Sequence, residues 1–173
     1  MWQDLVSRLR LMVMRGRVTL AKDGGAAQLL QTRVNVDWRQ DDVPRLAEYG
    51  FQSVPPAGAD VVLLCLAGNP TDAVVIATGH QQYRVRNLAS GEVCLSDNQG
   101  QKVYLSAAGI RIEGAGLPIE INTTGSLTIN AGSLAVNANT AFTGTVTANG
   151  VPIGSTHRHT SASPGTPTST PVP

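Results

Sequence analysis

Ile110-Arg111-Ile112, Ile119-Glu120-Ile121-Asn122, Leu127-Thr128-Ile129-Asn130 and Leu134-Ala135-Val136-Asn137 form a run of apolar-x-apolar triplets that decides how this chain is built. Successive residues of an extended strand point to opposite faces, so each triplet puts two apolar side chains on one face. The triplets begin at residues 110, 119, 127 and 134, and Gly109, Gly114, Gly116, Gly125, Gly132, Gly144 and Gly150 punctuate them. Between Glu120 and Arg158 there is no Lys, Arg, Asp or Glu, and Phe142 is the sole aromatic residue. A single chain of short, uncharged strands leaves its edges unpaired and prone to association. Parallel winding of three chains about one axis would cover those edges. Ile, Leu and Val would then fill a shared core and Thr, Asn, Ser and Ala the outside.

Working outward, the charge is concentrated before the repeat. Ten of the 13 Lys and Arg and eight of the 12 Asp and Glu fall in the first ninety residues, and only Arg158 carries a charge after Glu120. A net charge of +1, mixed in sign, argues against an electrostatically driven partner such as nucleic acid. Cys65 and Cys94 sit in the apolar runs Val61-Val62-Leu63-Leu64-Cys65-Leu66 and Val93-Cys94-Leu95, without a CxxC companion, and read as small buried hydrophobes. Residues 1–17 are interrupted by Asp4, Arg8 and Arg10 and lack the apolar centre of a secretion signal. No run of about 20 apolar residues exists to span a bilayer as a helix. A soluble chain without its own export signal is expected.

Trp2, Leu5, Val6, Leu9 and Val13 recur at spacings of three and four, which predicts an amphipathic helix. Its apolar stripe would pack on its own domain or on a neighbouring subunit. From Gly16 the period changes. Residues 17–20, 27–38, 60–66 and 73–78 read as strands, the Asp23-Gly24-Gly25 and Gly68-Asn69-Pro70 segments as turns, and residues 41–49 as a loop containing Pro44. About five short strands in eighty residues predict a small closed barrel of the oligonucleotide/oligosaccharide-binding (OB) type. Its strands offer mainly Trp38 and Tyr83 for base stacking, so the barrel reads as a scaffold. His80, alone in a loop after Gly79, reads as an ordinary surface histidine.

The resulting division is residues 1–15 as an N-terminal amphipathic segment, 16–90 as an OB-like barrel, 91–150 as a trimeric β-helix shaft, and 151–173 as an apex with a Pro/Ser/Thr-rich tail. The expected fold class is all-β: an OB-like barrel followed by an intertwined trimeric β-helix.

Tyr49-Gly50-Phe51, Val54-Pro55-Pro56-Ala57-Gly58-Ala59, the Gly68 turn, Tyr83-Arg84, Gly91-Glu92-Val93 and Asn98-Gln99-Gly100 together resemble the central baseplate spikes of contractile phage tails, most closely the Mu-like type. The resemblance covers about residues 15 to 160. It implies an N-terminal barrel that mounts the spike on the baseplate hub and tail tube, a homotrimeric β-helical shaft, and a C-terminal His-x-His that binds iron near the apex. His157-Arg158-His159 matches that last motif. His157 and His159 are two apart, so both imidazoles face one way on an extended chain. Three chains supply six such nitrogens, enough for an octahedral first-row metal, one ion per trimer. A complete shell leaves no open position for substrate, so the metal would be structural. That it is iron is implied by the resemblance alone.

The function expected from this reading is mechanical: a homotrimeric spike at the baseplate tip of a virion, made in the host cytoplasm and driven into the host outer membrane. The same physics would serve a phage-tail-like bacteriocin or a secretion-system spike. An enzyme is not expected. No Ser-His-Asp set or glycine-rich phosphate loop is present, and an iron oxygenase would need a carboxylate beyond Glu120, where none exists. A β-helical protein that binds or degrades polysaccharide is the alternative, with only Glu113 and Glu120 as nearby acids.

Overall fold

Residues 2–154 are described by a computed structural model of the chain. They contain one α-helix, a 3-10 turn and ten strands, so the all-β expectation holds at the level of class. No helix among them is long and apolar enough to cross a membrane. The chain divides into two units, Met1–Ile121 and Asn122–Pro173.

In the first unit, α1 (Trp2–Leu11) leads into β1 (Val13–Lys22), followed by β2 (Leu29–Arg33), β3 (Arg39–Pro44), β4 (Asp60–Cys65) and β5 (Ala73–Gly79). These strands form one antiparallel sheet in the order β3-β2-β1-β4-β5. Alternation in β4, where Val61, Leu63 and Cys65 are buried and Asp60, Val62 and Leu64 are half-buried, turns one face to the core. Met14 and Val18 of β1, Leu30 of β2, Val43 of β3 and Val75 of β5 meet them there. Leu30, Leu63 and Val75 are 0% exposed. Cys65 is therefore the buried hydrophobe expected, and burial pushes its thiol pKa up.

Three of the four pairings carry an irregularity of register, and only β1–β4 is regular. Val18 faces Thr32 but Leu20 faces Gln31, leaving Thr19 as the extra residue of a bulge. Its hydroxyl donates to the Gln31 side-chain oxygen at 2.6 Å. Further shifts between Leu30 and Thr32 and between Val62 and Leu63 bend the neighbouring strands. The sheet curls far enough that the two outer strands meet. Arg45 forms a parallel bridge with Val75, and the Leu46 N–H donates to the Val75 carbonyl at 3.0 Å.

Two local expectations are corrected. The strand expected over 27–38 ends at Arg33, because Asn35 turns the chain: its Oδ1 accepts the Asp37 N–H at 3.0 Å, and the Val34 N–H reaches the Trp38 carbonyl at 2.9 Å. The loop expected from residue 41 is strand β3 up to Pro44. Its acidic residues are tolerated because they point outward to partners, Asp42 to Lys22 at 2.6 Å and Asp41 to Gln31 at 2.6 Å. That contact holds the Lys22 ammonium above its ordinary pKa.

α1 is present as expected, but its apolar stripe stays open. Trp2, Leu5, Val6 and Leu9 are all exposed, and only Leu11 at its end packs against the core. The helix instead abuts the 3-10 turn Leu66–Gly68. Gly68 has φ +70, and a Cβ there would stand 2.2 Å from the Arg8 carbonyl oxygen, so both conformation and space demand glycine.

Beyond β5, residues 80–92 connect to a three-stranded antiparallel meander of β6 (Val93–Ser96), β7 (Lys102–Ser106) and β8 (Gly109–Glu113). In the second unit, β9 (Thr147–Ala148) and β10 (Val151–Pro152) form a hairpin. Its two-residue turn is Asn149-Gly150, with φ of 49° and 79°, as a type I′ turn requires. Among the described residues no strand is formed between Glu113 and Thr147.

Candidate functional site

The register of the meander sorts its residues onto two unlike faces. Val93, Leu105 and Ile110 lie opposite one another across the three strands, and so do Leu95, Val103 and Ile112. The intervening row is Cys94, Tyr104 and Arg111, flanked by Ser96, Lys102 and Glu113. One face is thus wholly apolar and the other wholly polar or small.

The polar face is internally satisfied. The Tyr104 hydroxyl donates to the Glu92 carboxylate, whose second tie is the Ala89 N–H at 2.8 Å. The Tyr104 bond leads the causes that hold Glu92 below its ordinary pKa, and the same bond raises that of Tyr104. Arg111 lies over the Tyr104 ring, 5.1 Å from its centre, and Lys102 pairs with Glu113 at 3.0 Å. Cys94 joins this face and is half-buried, not the core residue that its apolar neighbours suggest. Val93 and Leu95 point the other way because they are its immediate neighbours on a strand.

Most of the apolar face is open, with Val103 half-buried at its centre. Val93, Leu95, Leu105, Ile110 and Ile112 are exposed, Ile110 to 71%. The pattern continues along the chain. Ile119, Ile121, Leu127, Ile129, Leu134 and Val136, the later triplets of the repeat, are exposed without exception. Every residue from 122 to 145 is exposed. Burying one aliphatic side chain is worth about 1.5–3 kcal/mol.

The first unit also holds a groove of about 860 Å³ between residues 52–59, 78–84 and the meander, lined among others by His80, Asp97, Glu113 and Ile119. Its ionisable groups serve the fold. Burial raises the Asp97 carboxyl pKa but is outweighed by hydrogen bonds from the Gln99, Gln101 and Gly100 backbone and the Gln101 side chain, leaving it lowered. Such a carboxylate is a poor proton donor at neutral pH. His80 stacks on Tyr83, ring centres 4.4 Å apart, and its Nδ1 accepts the Gln82 N–H at 3.3 Å. It is half-buried and hydrogen-bonded within its loop.

His157 and His159, the expected metal ligands, lie outside the described residues. Among the described residues no three His, Cys, Asp or Glu side chains cluster.

Two surface features of the five-stranded sheet were not legible in the sequence. Residues 46–54 form a loop whose base is clamped: Arg45 donates to Gln28 Oε1 at 2.8 Å and to Ser53 Oγ at 3.0 Å, and Gln28 Nε2 donates to the Ser53 carbonyl at 3.0 Å. At its tip, the Phe51 N–H closes on the Glu48 carbonyl at 3.0 Å with Gly50 at φ +87. The second feature is a groove of about 670 Å³ that includes Arg15, Arg17 and Arg33. Arg17 and Arg33 are direct cross-strand partners, brought together by the β1–β2 register across sixteen residues of sequence. No short-range signal marks either feature.

Comparison with known proteins bears on the whole. Residues 15–82 match the family described as bacteriophage Mu Gp45, N-terminal. The chain is 31% identical over 105 residues to the baseplate puncturing device gp45 of Escherichia phage Mu, covering 61% of this chain and 53% of that protein. It is 31% identical over 101 residues to the Mu-like prophage FluMu protein gp45 of Haemophilus influenzae, covering 58% and 55%. The chain thus spans about half the length of the curated relatives it matches. These matches bear out the resemblance that the sequence motifs carry, a likeness to Mu-like gp45 proteins that the family match places in residues 15–82.

Proposed function

We propose that this chain is a homotrimeric spike of a contractile-tail baseplate, with residues 16–90 as the mount, 91–150 as the shaft and 151–173 as the apex. The observation that carries it is the largely open apolar face of β6–β8, continued by the exposed triplets to Val136. Three such faces turned toward one axis bury each other's apolar rows and leave the Tyr104–Glu92–Arg111 face in water. This is the intertwined shaft.

The strand order β3-β2-β1-β4-β5, with Arg45 bridged to Val75, supports an OB-like closed barrel for the mount. A relative named a baseplate puncturing device supports mechanical work on the host outer membrane, a place at the tip of the virion tail, and contact with the baseplate hub and tail tube. No catalysis is needed for that role, because the work comes from tail contraction and the chain supplies stiffness. A bacteriocin or secretion spike would use the same design.

The apex is proposed to hold one metal ion per trimer. The donor set fits: His157 and His159 from three chains offer six imidazoles, which suit an octahedral first-row metal. Iron is favoured by the family resemblance. Sedimentation equilibrium and metal analysis of the purified chain test the proposal together. Three chains per particle and one metal per three chains are expected, with the metal lost in a His157→Ala/His159→Ala double variant. A monomer would overturn the trimer, and one metal per chain would overturn the shared site.

A further inference from the structure

The clamped loop 46–54 and the arginine groove are complementary, and within one chain they do not meet. The loop exposes Leu46, Tyr49, Phe51 and Val54, with Tyr49 as open as in an isolated residue at 102%. Four apolar groups on a loop fastened by Arg45, Gln28 and Ser53 have little ordering entropy left to lose on binding, which is the condition for a strong anchor. Glu48, at the same tip, has no cation partner among the described residues.

The groove presents the opposite need. Arg15 and Arg17 point outward from β1, two residues apart, and Arg33 faces Arg17 directly. Like charges opposed across a ladder are destabilising. Asp60 answers Arg17 alone, at 3.6 Å, while Arg15 and Arg33 have no carboxylate among the described residues. Val34 and Val36 line the same groove, Val36 being 89% exposed. Such a surface suits a ligand that is both aromatic and singly acidic.

Position sets how the two can meet. The loop leaves β3 at Pro44, paired with Leu29, whereas Arg33 pairs with Arg39 at the other end of the same hairpin. Four residues of strand put the ends roughly 13 Å apart. Two different patches at opposite ends of one hairpin make a heterologous contact, which closes into a ring when the rotation is cyclic.

We infer that loop 46–54 of one copy seats in the Arg15–Arg17–Arg33 groove of the next, Glu48 pairing with Arg15 and Arg33 and Tyr49 and Phe51 packing on Val34, Val36 and the guanidinium planes. This rests on the trimer reading, and adds a second, electrostatic seam at the level of the mount. The seam would set the order of the three barrels independently of the shaft.

A Glu48→Cys/Arg33→Cys double variant, treated with a short bismaleimide, tests it on the full chain. Covalent dimers and trimers are expected from the double variant and not from either single variant, whose native Cys65 and Cys94 serve as the background. Glu48→Arg should weaken trimer association of the otherwise unaltered chain about tenfold in sedimentation equilibrium, and adding Arg33→Glu in the same chain should restore it. A wild type that sediments as a trimer while the double variant cross-links no more than the singles would overturn this contact alone. A monomeric wild type would overturn the trimer reading and the contact with it. Cross-linking to an added baseplate protein in place of a second copy would also overturn it.

Discussion

Tyr104 and Glu92 show how much one register-dependent contact does for the meander. The bond lies beside Arg111, which covers the ring from the other side. Glu92 is depressed below its ordinary 4.5, so its contribution is present above that pH and is lost as pH falls through the lowered folded value. Tyr104 is raised above its ordinary 10.0, so its contribution is present below that pH and is lost as pH rises through the raised folded value. The pair therefore stabilises the meander between about pH 4.5 and 10 and fades on both sides. Tyr104→Phe keeps the ring under Arg111 but removes the donor. Thermal melts across this range should show a lower, flatter stability profile for the variant; an unchanged profile would mean that the bond contributes nothing.

At the scale of the element, the two faces of β6–β8 make opposite predictions for similar substitutions. Ile112→Asp places a charge in the proposed shared core, where an unpaired carboxylate is costly to bury. The variant should sediment as a monomer at concentrations where the wild type is trimeric. Ser96→Asp, on the other face and directly across from Lys102, should leave association unchanged. If both behave alike, the apolar face is not the seam. The element scale also shows where the sequence was readable. The apolar run 61–66 marked a buried strand holding Cys65, and the helix followed from the spacing of Trp2, Leu5, Val6 and Leu9, while Val13 of the same pattern opens β1. The outward acids of β3 were misread because they depend on partners distant in sequence, such as Lys22 for Asp42, whereas the Asx turn at Asn35 is a local contact with Asp37 hidden by the strand-like alternation around it.

At the scale of the whole molecule, the second unit cannot account for its own order within one chain. Residues 122–145 are exposed throughout and make no strand pairs among the described residues. If three chains share their edges, backbone amides of this region should exchange slowly in the wild type and fast in the Ile112→Asp monomer, as read by hydrogen exchange. Fast exchange in an intact trimer would remove the shaft from this region. The repeat of apolar triplets, the charge-free run after Glu120 and the His157-Arg158-His159 motif are local patterns, and they carry the expectation of a core shared between copies and of His157 and His159 as ligands. Tertiary structure decided what no local pattern can hold. It set Arg17 against Arg33, fastened loop 46–54 through Arg45, and turned Val93, Leu105 and Ile110 onto one face. Each of these depends on strand register between distant residues, and a shift of one residue would send every side chain to the opposite face.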